Sequence, residues 1–304
     1  MKLVGLFSLA SGGLEDDATG TLHQHERILF RSLWERLEKG DLMLGDRGCC
    51  SYAALASLSL RGIDAVLRLH PARKVSFREG ERLGKDDRLI TWTKPAQRTD
   101  AWSLEEWGAL PAELSLRLIR LHVSAPGFRT RSVTLVTTLT DAHTYPADKI
   151  RALSGQRWEV ELHFQQIKIL LGLDILRCKS PELIEKETLM HLIAYNLIRL
   201  LMQKAASTHQ ADLGRISFKG TLDTVRHFAS AIHAARATPR RQDALIEQML
   251  ATIASDPVPA RPGRSEPRAK KRRPKNYHLL TKPRSEMQVP PNRNRPRLVI
   301  QKCP

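Results

Sequence analysis

The pattern of apolar and polar residues divides the first part of the chain into short strands and one helix. The predicted elements, in chain order, are strands at 2–10 and 14–19, a strand at 42–44, a helix at 51–60 and a strand at 63–69. Ser11, Gly12 and Gly13 form a turn between the first two strands, which indicates a β-hairpin. The later order of strand, turn, helix and strand predicts two parallel strands joined by a right-handed crossover.

The second part of the chain changes from strand-like to helical patterning. Alternating, β-branched segments predict strands at 89–92, 116–123 and 132–139. A short helix at 102–107 is predicted from Ser103 and Glu106, which have the spacing of a capping box. Apolar positions at helical spacing predict helices at 146–171, 181–205, 220–236 and 239–254. The sequence therefore predicts an α/β fold with a mixed sheet flanked by helices.

Asp46 is the first candidate functional residue. It follows the apolar strand directly and would lie at that strand's carboxyl end, where binding sites assemble in open α/β sheets. The alternative is that Asp46 only stabilises a turn, which is a common role for aspartate.

Three further candidates lie in the predicted helix 146–171. Arg157, Glu161 and Lys168 fall within about 40° of one another on an ideal helix, on the flank of an apolar stripe. A half-buried carboxylate between two cations stays ionised near neutral pH and can bind a divalent metal. A solvated salt-bridge face is the simpler interpretation of the same spacing.

The two motifs together resemble a known family, the bacterial DDE transposases of the insertion-sequence-four type. Residues 45–48, Gly-Asp-Arg-Gly, match the block that carries the family's second catalytic carboxylate. Arg157, Glu161 and Lys168 match three positions of its Tyr-Arg-Glu-Lys signature, and Ser154 stands at the tyrosine position. The resemblance covers about residues 1–205 and implies a ribonuclease-H-like fold with a β-rich insertion between the second and third carboxylates.

The resemblance also implies a chemistry. The family cleaves and transfers DNA strands at the ends of insertion sequences, using two Mg²⁺ or Mn²⁺ ions. Asp46 and Glu161 would be metal ligands and catalytic residues, and Arg157 and Lys168 would bind DNA phosphate. The implied partners are transposon ends and target DNA, and the intact enzyme is expected to act as a homodimer on DNA in the bacterial cytoplasm, at the nucleoid.

One position of the family pattern has no match. The family's first catalytic aspartate lies on a strand before the hairpin with which this chain opens, so we expect an amino-terminally truncated transposase that does not cut DNA by itself. A non-catalytic DNA-binding remnant is the alternative. A housekeeping nuclease of the ribonuclease-H-like class is disfavoured by the 114 residues that lie between Asp46 and Glu161.

These patterns also predict how the chain is divided. The expected segments are a partial catalytic core at 1–70, the β-rich insertion at 71–145, the carboxy-terminal helices of the core at 146–205, a helical extension at 206–255 and a basic disordered tail at 256–304.

The expected tail at 256–304 is more basic than the rest of the chain. The formal net charge is +17, and residues 256–304 hold 14 Lys and Arg against 3 Asp and Glu. Such a polybasic segment favours DNA contact through phosphates, although it could be merely solubilising. The four cysteines fit no zinc-binding pattern, and no apolar run is long enough to suggest a membrane span.

Overall fold

The computed structural model describes residues 1–70, 73–98, 101–122 and 132–259. The predicted tail at 256–304 therefore lies almost entirely outside the described residues. Its first residues are attached to the fold, because Ser217 N donates to Asp256 O at 3.1 Å and Val258 N donates to Arg215 O at 2.6 Å. The expectation of disorder from residue 256 onward is therefore wrong as far as Val258.

The chain opens with the predicted hairpin. Strands β1 (Lys2–Phe7) and β2 (Leu14–Gly20) pair antiparallel, with Lys2 opposite Gly20. Gly12 in the turn has a φ of +66°, a left-handed conformation that favours glycine. The hairpin forms a two-stranded sheet of its own.

A six-stranded mixed sheet forms the centre of the fold. Its strands are β3 (Leu42–Gly45), β4 (Asp64–Arg68), β5 (Glu81–Gly84), β6 (Asp87–Thr93), β7 (Glu113–His122) and β8 (Ser132–Thr137). Their order across the sheet is β3-β4-β8-β7-β6-β5, and only β3 and β4 are parallel. The predicted parallel pair is confirmed, and the strands of the expected insertion continue the same sheet. Residue 123 of the predicted strand 116–123 lies outside the described residues.

Helices cover both faces of this sheet. The helices are α1 (Glu26–Ser32), α2 (Tyr52–Leu60), α3 (Leu104–Ala109), α4 (Ala147–Gln156), α5 (Trp158–Gln165), α6 (Pro181–His209), α7 (Phe218–Ala234) and α8 (Pro239–Ala254). Leu55 of α2 packs in one core with Leu67 and Leu116, whereas Ile150 of α4 packs on the opposite face with Val66 and Ile119. The expectation of an α/β fold with a mixed sheet flanked by helices is confirmed.

A third core joins the carboxy-terminal helices to the hairpin. It contains Tyr195 and Met202 of α6, Phe218 of α7 and Ile253 of α8, and Phe7 of β1 packs against it. The predicted capping box of α3 is present, since Ser103 and Glu106 exchange hydrogen bonds. In the described part of the chain, no helix is long and apolar enough to cross a membrane.

Candidate functional site

Asp46 lies where the sequence places it, directly after strand β3. The turn that follows is closed by Cys49 N, which donates to the Asp46 carbonyl at 3.0 Å, and α2 then begins with Ser51 as its cap. Gly45 beside Asp46 is closely packed, because a Cβ there would lie 2.7 Å from Cδ2 of the buried Leu67. Asp46 is exposed, so its carboxylate is accessible to solvent and to ligands.

The exposed side of Asp46 faces a cleft of about 790 Å³. Four Lys or Arg residues line it against two carboxylates, so the cleft attracts anions. The cations are Lys2, Arg27, Arg47 and Arg73, and the carboxylates are Asp46 and Glu26. His25 and His70 also line the cleft. Sequence reasoning missed Lys2, Arg27 and Arg73, because they come from β1, the start of α1 and the loop after β4, which meet only in the fold.

Two adjacent cysteines also line the cleft. Burial raises the pKa of the Cys49 and Cys50 thiols to about 11 in each case. Both thiols are therefore protonated near neutral pH and are poor nucleophiles. The two cysteines therefore do not indicate a nucleophilic thiol site in this cleft.

Three tryptophans in or beside the β-rich segment, Trp92, Trp102 and Trp107, differ in position. Trp92 and Trp102 are buried in the core beside the sheet, at 7% and 4% exposure. Trp107 is partly buried and lines the Asp46 cleft. Core packing accounts for the first two, and the ring of Trp107 is accessible to a ligand in the cleft.

Arg157 and Glu161 are brought together at the start of α5. Arg157 Nη2 donates to Glu161 Oε1 at 3.1 Å, and the side chains are 22% and 47% exposed. The Glu161 side chain is thus about half exposed, with Arg157 as its hydrogen-bond donor. Arg157 also forms the junction between α4 and α5, so the predicted helix 146–171 is interrupted there.

Lys168 lies beyond a second change in the helix. Residues Gln166–Leu170 form a π-helical turn, which alters the angular spacing that an ideal α-helix would give. The ammonium group of Lys168 lies 5.4 Å from the ring centroid of Phe164. Lys168 is exposed and can bind an anion, but the regular spacing used to align it with Glu161 does not extend to its position.

The hairpin contacts both candidate regions. Lys2 and Val4 line the Asp46 cleft, whereas Phe7 packs against His163 and Phe164 of α5 at ring distances of 5.3 Å. The Asp46 cleft is not lined by Arg157, Glu161 or Lys168. Convergence of the Asp46 and Glu161 carboxylates on one metal site therefore stays a prediction.

His163 is a buried polar residue that sequence reasoning did not single out. It is 6% exposed and stacks on Phe7. Burial, and then the charge of Arg199, lower its pKa to about 4, so the ring is neutral at physiological pH. The available signal was its place between Glu161 and Phe164, on the side of the helix that faces the core.

Comparison with known proteins adds an independent line of evidence. Residues 1–197 match the family described as "Transposase DDE domain". The chain is 30% identical over 285 residues to the transposase InsG for insertion sequence element IS4 of Escherichia coli K12, and this match covers 93% of the chain and 62% of InsG. The chain thus spans less than two thirds of that relative's length.

Two shorter matches are also to transposases of insertion sequences. A stretch of 71 residues is 38% identical to the putative transposase InsL for insertion sequence element IS186A of Escherichia coli K12. A stretch of the same length is 38% identical to the transposase for insertion sequence element IS421 of Escherichia coli. Each covers 23% of the chain and 19% of the relative.

Proposed function

Because the chain belongs to the DDE transposases of the IS4 family, we propose that it carries the catalytic region for DNA strand cleavage and transfer at insertion-sequence ends. The observation that carries this proposal is Asp46 at the carboxyl end of β3, facing a cleft in which cations outnumber carboxylates. A cationic cleft holds the DNA backbone, and an exposed carboxylate within it can act beside a bound phosphate.

Asp46 and Glu161 are the proposed metal ligands and catalytic residues. Their carboxylates are the hard oxygen donors that Mg²⁺ prefers, and Mg²⁺ sites commonly use one or two carboxylates together with water and substrate phosphate. Within the described residues, no group of three or more His, Cys, Asp or Glu side chains is placed to hold a metal. The proposed site would therefore take two carboxylates from the protein and be completed by DNA, with Mg²⁺ or Mn²⁺ stabilising charge on phosphate oxygens.

Arg157 is proposed to position Glu161 as well as to contact DNA. Its hydrogen bond to Oε1 restrains the carboxylate and leaves Oε2 open. The planar guanidinium has further N–H groups for a phosphate oxygen. Lys168, exposed about two turns of helix beyond Glu161, would add a point charge toward the same DNA strand.

Iron-mediated backbone cleavage tests the shared site without requiring catalysis. With added ascorbate and hydrogen peroxide, Fe²⁺ bound in place of Mg²⁺ reduces the peroxide to hydroxyl radicals, which cut the polypeptide near the metal ligands. We expect cuts close to both Asp46 and Glu161 in the presence of DNA, and competition by Mg²⁺. Cuts near only one of the two, or cuts that persist in Asp46→Asn, would contradict a common site.

The activity itself is tested in a transposase that contains this chain, on DNA carrying the element ends. Glu161→Gln should reduce Mg²⁺-dependent nicking at least about 1,000-fold, because loss of a charged ligand raises the barrier by several kcal/mol. Glu159→Gln, on the same helix and also exposed, is the matched control and should retain activity. Equal activity of all variants would exclude Glu161 as a catalytic residue.

DNA binding without cleavage is the second candidate function, and the excess of cations in the Asp46 cleft supports it. The chemistry calls for three acidic groups and the proposal assigns two, so we expect the 304-residue chain alone to bind DNA and not to nick it. Robust nicking by this chain, lost in Asp46→Asn, would show that another acidic residue completes the site. We also propose that the protein acts on DNA as a homodimer, in the bacterial cytoplasm.

A further inference from the structure

Helix α6 has an apolar side that packs on nothing in the described part of the chain. Met190, Ile193, Leu197 and Leu200 are 64%, 53%, 57% and 59% exposed. On a helix with 100° per residue these four side chains lie within about 80° of one another. We call these four residues the outer stripe of α6.

The opposite side of α6 accounts for its internal packing. Leu192, Tyr195, Ile198 and Met202 are buried against the hairpin, α7 and α8. Tyr195 donates to the Gly12 carbonyl at 2.5 Å, and Asn196 exchanges two hydrogen bonds of 2.9 Å with the backbone of Leu14. These contacts therefore fix the orientation of α6 about its own axis, and the outer stripe faces solvent.

The spacing of the outer stripe is that of a coiled-coil seam. Its positions increase by three, four and three residues, which corresponds to alternating a and d positions of a heptad repeat. Lys186 and Lys204 occupy the preceding d and the following a position, and both are exposed. The apolar seam is thus about three turns long, and a lysine occupies the next heptad position on each side of it.

The exposed apolar area is large enough for such a pair. Leu183 and Leu189 extend it at the amino-terminal end, with exposures of 49% and 44%. Six half-exposed large side chains present roughly 500 Å², near the upper limit for patches on monomeric proteins. Two copies would together bury about 1,000 Å², which is the lower limit for a specific interface.

We propose that the outer stripe of α6 is the surface through which two copies of this chain associate, as a two-helix coiled coil about a twofold axis. A seam of this kind is self-complementary, because the same knobs and holes occur on both copies. The proposal rests on the homodimer proposed above and adds its contact surface.

Sedimentation velocity and light scattering of the 304-residue chain, without DNA or metal, test this surface. We expect a concentration-dependent mass of two copies. Leu197→Glu should raise the dissociation constant at least about 100-fold, because it places two buried charges in the centre of the seam. Leu104→Glu is the matched control, since Leu104 is 77% exposed on α3 and far from this seam in sequence, and it should leave the dimer unchanged.

Leu197→Gln is a milder second variant, and circular dichroism would check that each variant is folded. A monomer at every concentration would overturn the proposal and leave the stripe to another occupant. A dimer that is insensitive to Leu197→Glu and Leu197→Gln, or equally weakened by Leu104→Glu, would overturn it as well. Because none of these measurements involves DNA, failure here is distinct from failure of the proposed cleavage activity.

Discussion

At the scale of single residues, the block that carries Asp46 is constrained by packing as well as by chemistry. Gly45 and Gly48 flank Asp46 and Arg47 and look equivalent in the sequence. In the structure they differ, since a Cβ at Gly45 would meet Leu67 at 2.7 Å and a Cβ at Gly48 would have nothing within 4 Å. Part of this family motif therefore serves to seat β3 against β4.

The two glycines give a direct stability prediction. Gly45→Ala should destabilise the fold by about 1–3 kcal/mol, because Leu67 is buried and has little room to move. Gly48→Ala should change the free energy of unfolding by less than about 0.5 kcal/mol. Urea denaturation measures both. Similar values for the two variants would mean that the β3–β4 contact relaxes easily.

His163 gives a prediction about pH. Its folded pKa of about 4 lies below the ordinary histidine value of 6.5, so the unfolded chain binds a proton first as pH falls. The stability contributed by the neutral, buried ring is present above pH 6.5 and is lost as the pH falls toward 4. The loss amounts to roughly 3 kcal/mol at most.

Denaturation between pH 4 and 7 would show this effect. His163→Phe keeps an aromatic ring against Phe7 and should flatten the pH dependence of the free energy of unfolding. The same change at the exposed His23 is the control and should leave the profile as in the original chain. Parallel profiles for all three proteins would show that His163 is not buried in its neutral form.

At the scale of elements, sequence patterns were reliable where contacts are local. The hairpin, the β3–α2–β4 unit and the capping box of α3 each depend on neighbouring residues, and each was predicted. Strand β5 (Glu81–Gly84) was missed, because its polar sequence becomes a strand only by pairing with β6. The change from α- to π-helix at Gln166 was also missed, since apolar spacing alone does not distinguish the two.

The attachment of the hairpin to α6 gives the prediction at this scale. Tyr195 donates to the carbonyl of the buried Gly12, and Tyr195→Phe would leave that carbonyl without this donor. We expect a loss of about 1–2 kcal/mol in unfolding free energy. Tyr145→Phe is the control, because Tyr145 is 41% exposed. Equal stability of both variants would mean that water replaces the tyrosine hydroxyl.

At the scale of the whole molecule, the candidate site was predictable only in part. The sequence indicates Asp46, Arg157, Glu161 and Lys168 one motif at a time, and in the structure Arg157 forms an ion pair with Glu161. The cations around Asp46 were not predictable, because Arg27 and Arg73 lie in different segments and share no motif. Long-range contacts between elements decide which charges meet, and no local pattern encodes them.

The last prediction concerns how this charge holds DNA. Each phosphate contact made by a cleft arginine releases counterions, so binding weakens with salt at a slope of about 0.9 per contact. Replacing Arg27 and Arg47 with Gln should lower the slope of log K against log salt by about 2, if both contact phosphate. Arg236 and Arg240, exposed near the junction of α7 and α8, form the matched control pair, and their replacement should lower the slope less.

Fluorescence anisotropy with duplex DNA between 50 and 200 mM salt measures both slopes. Equal decreases for the two pairs would show that DNA responds to total charge, and would remove the cleft as the preferred DNA-binding surface.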